Sequence, residues 1–182
     1  MTAQFIFIMG MKHSGKSTLG KLLSKELSIP FFDLDREIER IEGRAIRKKR
    51  VREIYRERGK EGFQKLEEEA LESIFLNEEA PLIIAIGGGT IENEKAMARL
   101  REEGTRIYLK NDADTLWRRI VKGGIPAFLS GEDPYREFLE LYKKRNALYE
   151  TEDCIEVSLE GKSIEEALEA VKTIVRKYSN VG

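Results

Sequence analysis

Gly10-Met11-Lys12-His13-Ser14-Gly15-Lys16-Ser17 has the spacing G-x-x-x-x-G-K-[ST], and it stands between an apolar run, Phe5 to Met9, and a helical pattern. Strand, glycine-rich loop and helix in that order make a phosphate cradle. Gly10 and Gly15 let the backbone wrap so that successive N–H groups point inward, and the helix that follows adds its unpaired amides and positive dipole end. Lys16 is placed to neutralise the β- and γ-phosphates of a nucleotide, and the Ser17 hydroxyl to ligate Mg²⁺. Lys12, Ser14 and Thr18 belong to the same cradle. His13, the only imidazole, has no partner nucleophile nearby and reads as an outward-facing loop side chain rather than a proton shuttle.

A phosphate cradle of this kind ordinarily takes an acidic residue from the end of a later apolar strand. Here Leu82 to Ile86 runs into Gly87-Gly88-Gly89, which brings backbone close to a ligand but offers no carboxylate. The nearest acidic candidates are Asp33 and Asp35, at the end of the run Ile29 to Phe32, where open α/β sheets bind ligands. Period-two alternation would turn both to one side. One would support the metal through water while the other takes the proton of an acceptor hydroxyl, or orients it.

The elements that must hold these residues follow from the pattern. Apolar runs at Phe5–Met9, Ile29–Phe32, Leu82–Ile86, Arg106–Leu109 and Ile155–Val157 alternate with helical stretches, which implies a parallel sheet covered on both faces. After the cradle, Leu19, Leu22, Leu23 and Leu27 share one helix side; near the end, Ser163 and Glu166 have capping-box spacing before an apolar periodic run. Two stretches stand outside the alternation. Ile38 to Phe75 is charged, helical in pattern and interrupted near Gly59 and Gly62. Lys122 to Tyr135, rich in Gly and Pro, reads as a loop with the character of a lid.

Composition excludes several classes. Among 182 residues, 32 Lys plus Arg against 33 Asp plus Glu leave a net charge of −1, so no global field draws nucleic acid or anionic lipid. The basic cluster Arg44, Arg47, Lys48, Lys49, Arg50 and Arg52 is read as the solvated face of a charged helix, because glutamates surround it and no aromatic platform accompanies it. One Cys and one His cannot build a disulfide or a Cys/His zinc site. Phe5 to Met9 is too short for a signal or membrane segment, so a cytoplasmic protein with no membrane partner is the expectation, and a monomer is expected. One domain spanning 1–182 is expected, since no linker divides the chain.

Together these residues resemble the shikimate kinase family of P-loop kinases. The resemblance spans nearly the whole chain: the loop at Gly10 to Ser17, Asp33-Leu34-Asp35, Ile54-Tyr55 through Gly59, Phe63 and Glu67, Gly87 to Gly89, Tyr108-Leu109, and Arg145 to Tyr149. It implies a three-layer α/β P-loop kinase fold with a five-stranded parallel sheet in the order 2-3-1-4-5. It also implies an acceptor-binding helical insertion at about 33–70 and a lid at about 120–135. The implied activity is transfer of the γ-phosphate of ATP, with Mg²⁺, to a hydroxyl of shikimate. By position, Lys16 and Asp35 would be catalytic, Asp33 and Ser17 would serve the metal, and Arg119 would lie against adenine. Asp35, the residue at Gln64, Glu67, Gly87, Gly88, Gly89 and Arg145 would line the acceptor site.

The chain also departs from the family pattern. Phe63-Gln64-Lys65-Leu66-Glu67 stands where the family has F-R-x-x-E, and Ile125-Pro126 stands for a lid Arg-Pro. Lys60 follows Gly59 in place of Glu, and His13 replaces a glycine. Two cations that would face the acceptor are therefore missing, with Lys65, Arg56, Arg58 or Lys122 as candidate substitutes. A kinase of a different small hydroxylated metabolite, or a non-catalytic nucleotide-binding protein, stays open beside the shikimate reading.

Overall fold

The computed structural model describes residues 5–43, 49–126, 129 and 131–178. Its strands β1 (Phe5–Met9), β2 (Phe31–Asp33), β3 (Leu82–Ala85), β4 (Gly104–Lys110) and β5 (Ile155–Ser158) pair in parallel, in the order β2-β3-β1-β4-β5. The expected topology is thus observed.

Side-chain alternation along β1 explains the three layers. Phe5, Phe7 and Met9 point into one hydrophobic cluster, and Ile6 and Ile8 into another on the opposite face. β3 divides likewise, with Leu82 and Ile84 against the first cluster and Ile83 against the second. Helices α1 (Lys16–Leu27) and α7 (Ile164–Tyr178) close the second face. Leu19 and Leu23 of α1 are buried there, with Leu22 and Leu27 packed alongside, as their spacing requires. The first face is covered by α2 (Leu34–Glu42), α3 (Val51–Asn77), α4 (Glu94–Glu103), α5 (Ala113–Gly123) and α6 (Pro134–Thr151). Trp117 and Ile120 of α5 pack in this layer, Trp117 lying 5.2 Å from the Tyr135 ring and 5.5 Å from Phe138.

Element boundaries moved for identifiable reasons. β2 starts at Phe31 rather than Ile29 because Pro30 has no N–H to give the ladder; its carbonyl accepts from the Ile83 amide at 2.9 Å instead. β4 extends two residues before and one beyond its apolar centre. At its start a β-carbon on Gly104 would overlap the Phe5 carbonyl, so only glycine allows the strands to meet there. The expected loop at Lys122–Tyr135 is shorter. α5 continues through Gly123, and α6 opens at Pro134 with the Asp133 side chain accepting from the Arg136 amide. Of the intervening segment, residues 127, 128 and 130 lie outside the described residues, so the lid expectation falls partly there.

The charged insertion between β2 and β3 is α2 and α3. α3 bends at Gly59, whose φ of 68° and ψ of −176° are not helical. That left-handed φ suits glycine alone at low cost. The bend turns the arm holding Tyr55 and the arm holding Phe63 toward each other, and their rings meet edge to face at 5.4 Å.

The capping box opening α7 forms: the Ser163 amide donates to Glu166 Oε2 at 2.8 Å, and the Glu166 amide to Ser163 Oγ at 3.2 Å. Ser163→Ala should destabilise the protein by about 1 kcal/mol, lowering Tm by roughly 2–4 °C in a thermal melt.

Candidate active site

At the carboxyl edge of the sheet, the loops after β1, β2 and β3 open onto one cavity of about 1240 Å³. The cradle forms one wall. Gly15, with φ 101°, leads into α1, which has no side-chain cap and no acidic residue in its first turn, so its opening amides stay free of internal competitors for an anion. Lys12, Gly15, Lys16, Ser17 and Thr18 line the cavity, whereas Gly10 and Ser14 lie beneath it. Ser14 is buried, and its carbonyl accepts from the Asn111 side-chain amide at 3.3 Å. A β-carbon on Gly10 would press on Ser14 Oγ and the Leu109 carbonyl.

Lys16 folds back over the loop and donates to the carbonyls of Gly10 (2.8 Å) and Met11 (2.7 Å). Burial pulls its ammonium down to about 8, against the opposing pull of Asp35 and Asp33. Ser17 Oγ donates to Asp33 Oδ2 at 2.6 Å, bringing a hydroxyl and a carboxylate together beside Lys16. Hard oxygen donors of this kind suit Mg²⁺, which keeps most of its waters and takes few protein ligands. No cluster of three or more His, Cys, Asp or Glu able to cage a metal occurs among the described residues.

Asp33 and Asp35 do share the cavity, but not through strand alternation. β2 ends at Asp33, and Asp35 already belongs to the first turn of α2, with Leu34 fully buried between them. The strand-to-helix turn brings the two carboxylates together. Burial first, then the neighbouring Asp33 charge, pushes the Asp35 carboxyl up to about 6.

The three consecutive glycines each make room for a different neighbour. A β-carbon on Gly87 would stand 3.1 Å from Asp35 Oδ1 and 3.4 Å from Glu67 Oε1; on Gly88, 2.8 Å from the Lys12 amide nitrogen; on Gly89, 3.2 Å from Arg145 Nη2. Glu67 is buried and bonded to neutral donors, Thr90 Oγ1 at 2.6 Å and Asn93 Nδ2 at 3.1 Å. Burial outweighs those bonds and raises its carboxyl to about 7. Gln64 also lines the cavity, yet its amide is spent on the Glu92 carbonyl at 3.0 Å. Arg145 lines it too and pairs with Glu92 Oε2 at 3.2 Å.

Arg119 lies outside the cavity wall, on the outer flank of the cradle, where it donates to the His13 carbonyl (3.0 Å) and Asn111 Oδ1 (3.2 Å). His13, at φ 64°, sets its ring against Gly123 of α5, half-buried and among the residues lining the cavity rather than facing outward as the sequence suggested. Among the suggested substitute cations, Arg56 lines the cavity. Arg58 instead pairs with Glu42 at 2.8 Å, Lys65 lies with it in a separate cleft, and Lys122 is exposed outside the cavity lining. Of the basic cluster, Arg44, Arg47 and Lys48 lie outside the described residues; Lys49 pairs with Glu57 and Arg50 with Glu39, but Arg50 and Arg52 also line the cavity, so the cluster is not only a solvated face.

Sequence reasoning missed Glu92, Lys144 and Asn111, and noted Lys60 only as a departure from the family pattern. Lys60 and Lys144 line the cavity, and Glu92 holds Lys144 at 2.5 Å as well as Arg145. Nothing distinguishes these charges among 65 in the chain. Asn93 had a local signal, since its side chain caps α4 by accepting from the Ala96 amide.

Among the described residues, no helix is long and apolar enough to cross a membrane. A family model of shikimate kinases matches residues 12–177. The shikimate kinase of Chlorobaculum tepidum is 34% identical over 96% of this chain and 93% of its own, and that of Chloroherpeton thalassium is 38% identical over 82% and 81%. The structure of a shikimate kinase from Acinetobacter baumannii in complex with shikimate superposes with a TM-score of 0.79, at 26% identity, covering 97% of this chain and 95% of that one. With the cradle, the strand order and the glycine-lined cavity all in place, the chain belongs to the shikimate kinase family of P-loop phosphotransferases.

Proposed function

We propose that the protein transfers the γ-phosphate of ATP to a hydroxyl of shikimate, with Mg²⁺. The observation that carries this reading is the single cavity joining the phosphate cradle to Asp35, Glu67 and Arg145. A donor and an acceptor bound at its two ends would face each other without crossing bulk solvent.

In this mechanism the cradle amides and Lys16 hold the phosphates, Lys16 exchanging its loop carbonyls for phosphate oxygens. Ser17 and Asp33 would hold Mg²⁺, which supplies charge neutralisation across the phosphates when bound. Asp35 accepts the proton of the acceptor hydroxyl as its oxygen forms a bond to the γ-phosphorus. The bond from that phosphorus to the bridging oxygen breaks, and ADP leaves. The raised carboxyl of Asp35 suits a base at neutral pH, being mostly ionised yet basic enough to take a proton. Most of the rate enhancement comes from positioning and fixed charge. Arg145, with Gly87 to Gly89 admitting the acceptor closely, would orient the ring.

The test is ADP formation dependent on shikimate and abolished by chelating Mg²⁺; tight ATP binding without turnover on shikimate or on a panel of hydroxy acids, sugars and nucleosides would mean a non-catalytic nucleotide binder. Asp35→Asn should lower kcat by about a hundredfold or more while leaving the ATP dissociation constant, measured by calorimetry, within a few-fold of wild type. In the wild-type protein, protonation of Asp35 removes the base, so kcat/KM for the acceptor should fall as pH drops through about 6. A limb persisting in residual Asp35→Asn activity assigns that titration to Glu67, the other buried carboxyl facing Gly87.

A further inference from the structure

The acceptor end of the cavity already contains a carboxylate that belongs to the protein. Glu92 closes the short 3-10 turn Thr90–Glu92 that follows the triple glycine, and it lines the cavity. Its Oε2 lies 3.2 Å from Arg145 Nη2 and its Oε1 2.5 Å from Lys144 Nζ. Its carbonyl takes the Gln64 amide, so it holds polar groups of α3 and α6 at once. Burial pushes the Glu92 carboxyl up, but Lys144 and Arg145 outweigh that and hold it below the usual range, so it is charged at neutral pH.

The Arg145 contact is incomplete. A guanidinium meets a carboxylate best through two parallel bonds of about 2.7–2.9 Å. Glu92 makes one longer contact, and Arg145 Nε is buried with no hydrogen-bond partner among the described residues. A buried donor left unpaired is costly, so this arginine has bonding capacity for a better-seated anion. Lys144, in ion-pair contact with Glu92 Oε1, is mostly solvent-exposed.

We propose that Glu92 is a specificity-determining residue that occupies Arg145 in the absence of acceptor and must be displaced by the acceptor's carboxylate, so that it sets the affinity for anionic acceptors. This rests on the shikimate reading above. Glu92 neutralises the arginine the acceptor needs, and Gln64 supplies no charge to offset it. The protein therefore discriminates against weakly held acids, and a ligand binds only when its geometry on Arg145 is better than the resident one.

The experiment is steady-state ADP release with shikimate and, separately, its uncharged methyl ester, at saturating ATP and Mg²⁺. Glu92→Gln and Glu92→Ala should lower the KM for shikimate by about tenfold or more, the worth of one charge-assisted bond, with the change falling on KM rather than kcat. Glu92→Asp, which keeps the charge but draws it back by one methylene, should give a KM for shikimate between those of the wild type and the neutral variants, and the KM for the methyl ester should be the same in all four proteins. An unchanged or raised KM for shikimate in both neutral variants overturns the proposal, since a residue that merely steadied Arg145 would weaken binding when removed. Equal gains for acid and ester overturn it too, because relief of crowding does not depend on charge. If the wild type and every variant fail to turn over shikimate while binding ATP, the acceptor assignment itself is wrong and the displacement falls with it.

Discussion

The site depends on a backbone-to-backbone contact. β1 and β3 are hydrogen-bonded neighbours, so the chain leaving each emerges side by side at the same sheet edge. The two loops can then form one cavity only if they touch without side chains between them, and Gly88 against the Lys12 amide is that contact. A β-carbon there would sit inside the van der Waals distance of backbone that has nowhere to retreat. The flanking glycines extend the same logic to Asp35, Glu67 and Arg145, which reach the cavity because nothing projects from Gly87 or Gly89 to obstruct them.

From that contact outward, electrostatics rather than packing shapes the cavity. Lys16 is drawn down toward neutrality by burial, while Asp35 and Glu67 are pushed up, so three buried ionisable groups all lie within two or three pH units of each other. Such convergence is expensive in isolation and is characteristic of sites that move charge. The triphosphate of a nucleotide would satisfy Lys16 more fully than the loop carbonyls do. Glu67 differs from its neighbours in having only neutral hydrogen-bond donors, Thr90 and Asn93.

Local spacing made much of this readable in advance. The cradle, the β1 strand, the apolar side of α1 and the Ser163–Glu166 cap are each written within a few consecutive residues, and each formed as written. Order within the sheet followed from the ensemble of motifs rather than from any one of them. What escaped was whatever depends on three dimensions. The convergence of Asp33 and Asp35 was anticipated from strand geometry but arises at a helix start, α2 opening at Leu34, ahead of the helical stretch read from Ile38. Arg119 carried no local signal that it would clasp His13 and Asn111. Glu92 is separated from Arg145 by 53 positions, and no pattern in either segment announces the pair.

One consequence of the alternating residues of β1 concerns how the protein comes apart. The strand supplies a wall to both hydrophobic layers: Phe7 lies in one and Ile8 in the other, each fully buried. Neither layer has a complete interior while that strand is loose, so the α1–α7 side and the α2–α6 side cannot melt independently. The architecture thereby enforces cooperativity, and a ligand held on one flank of β1 would stabilise the other flank through the same five residues.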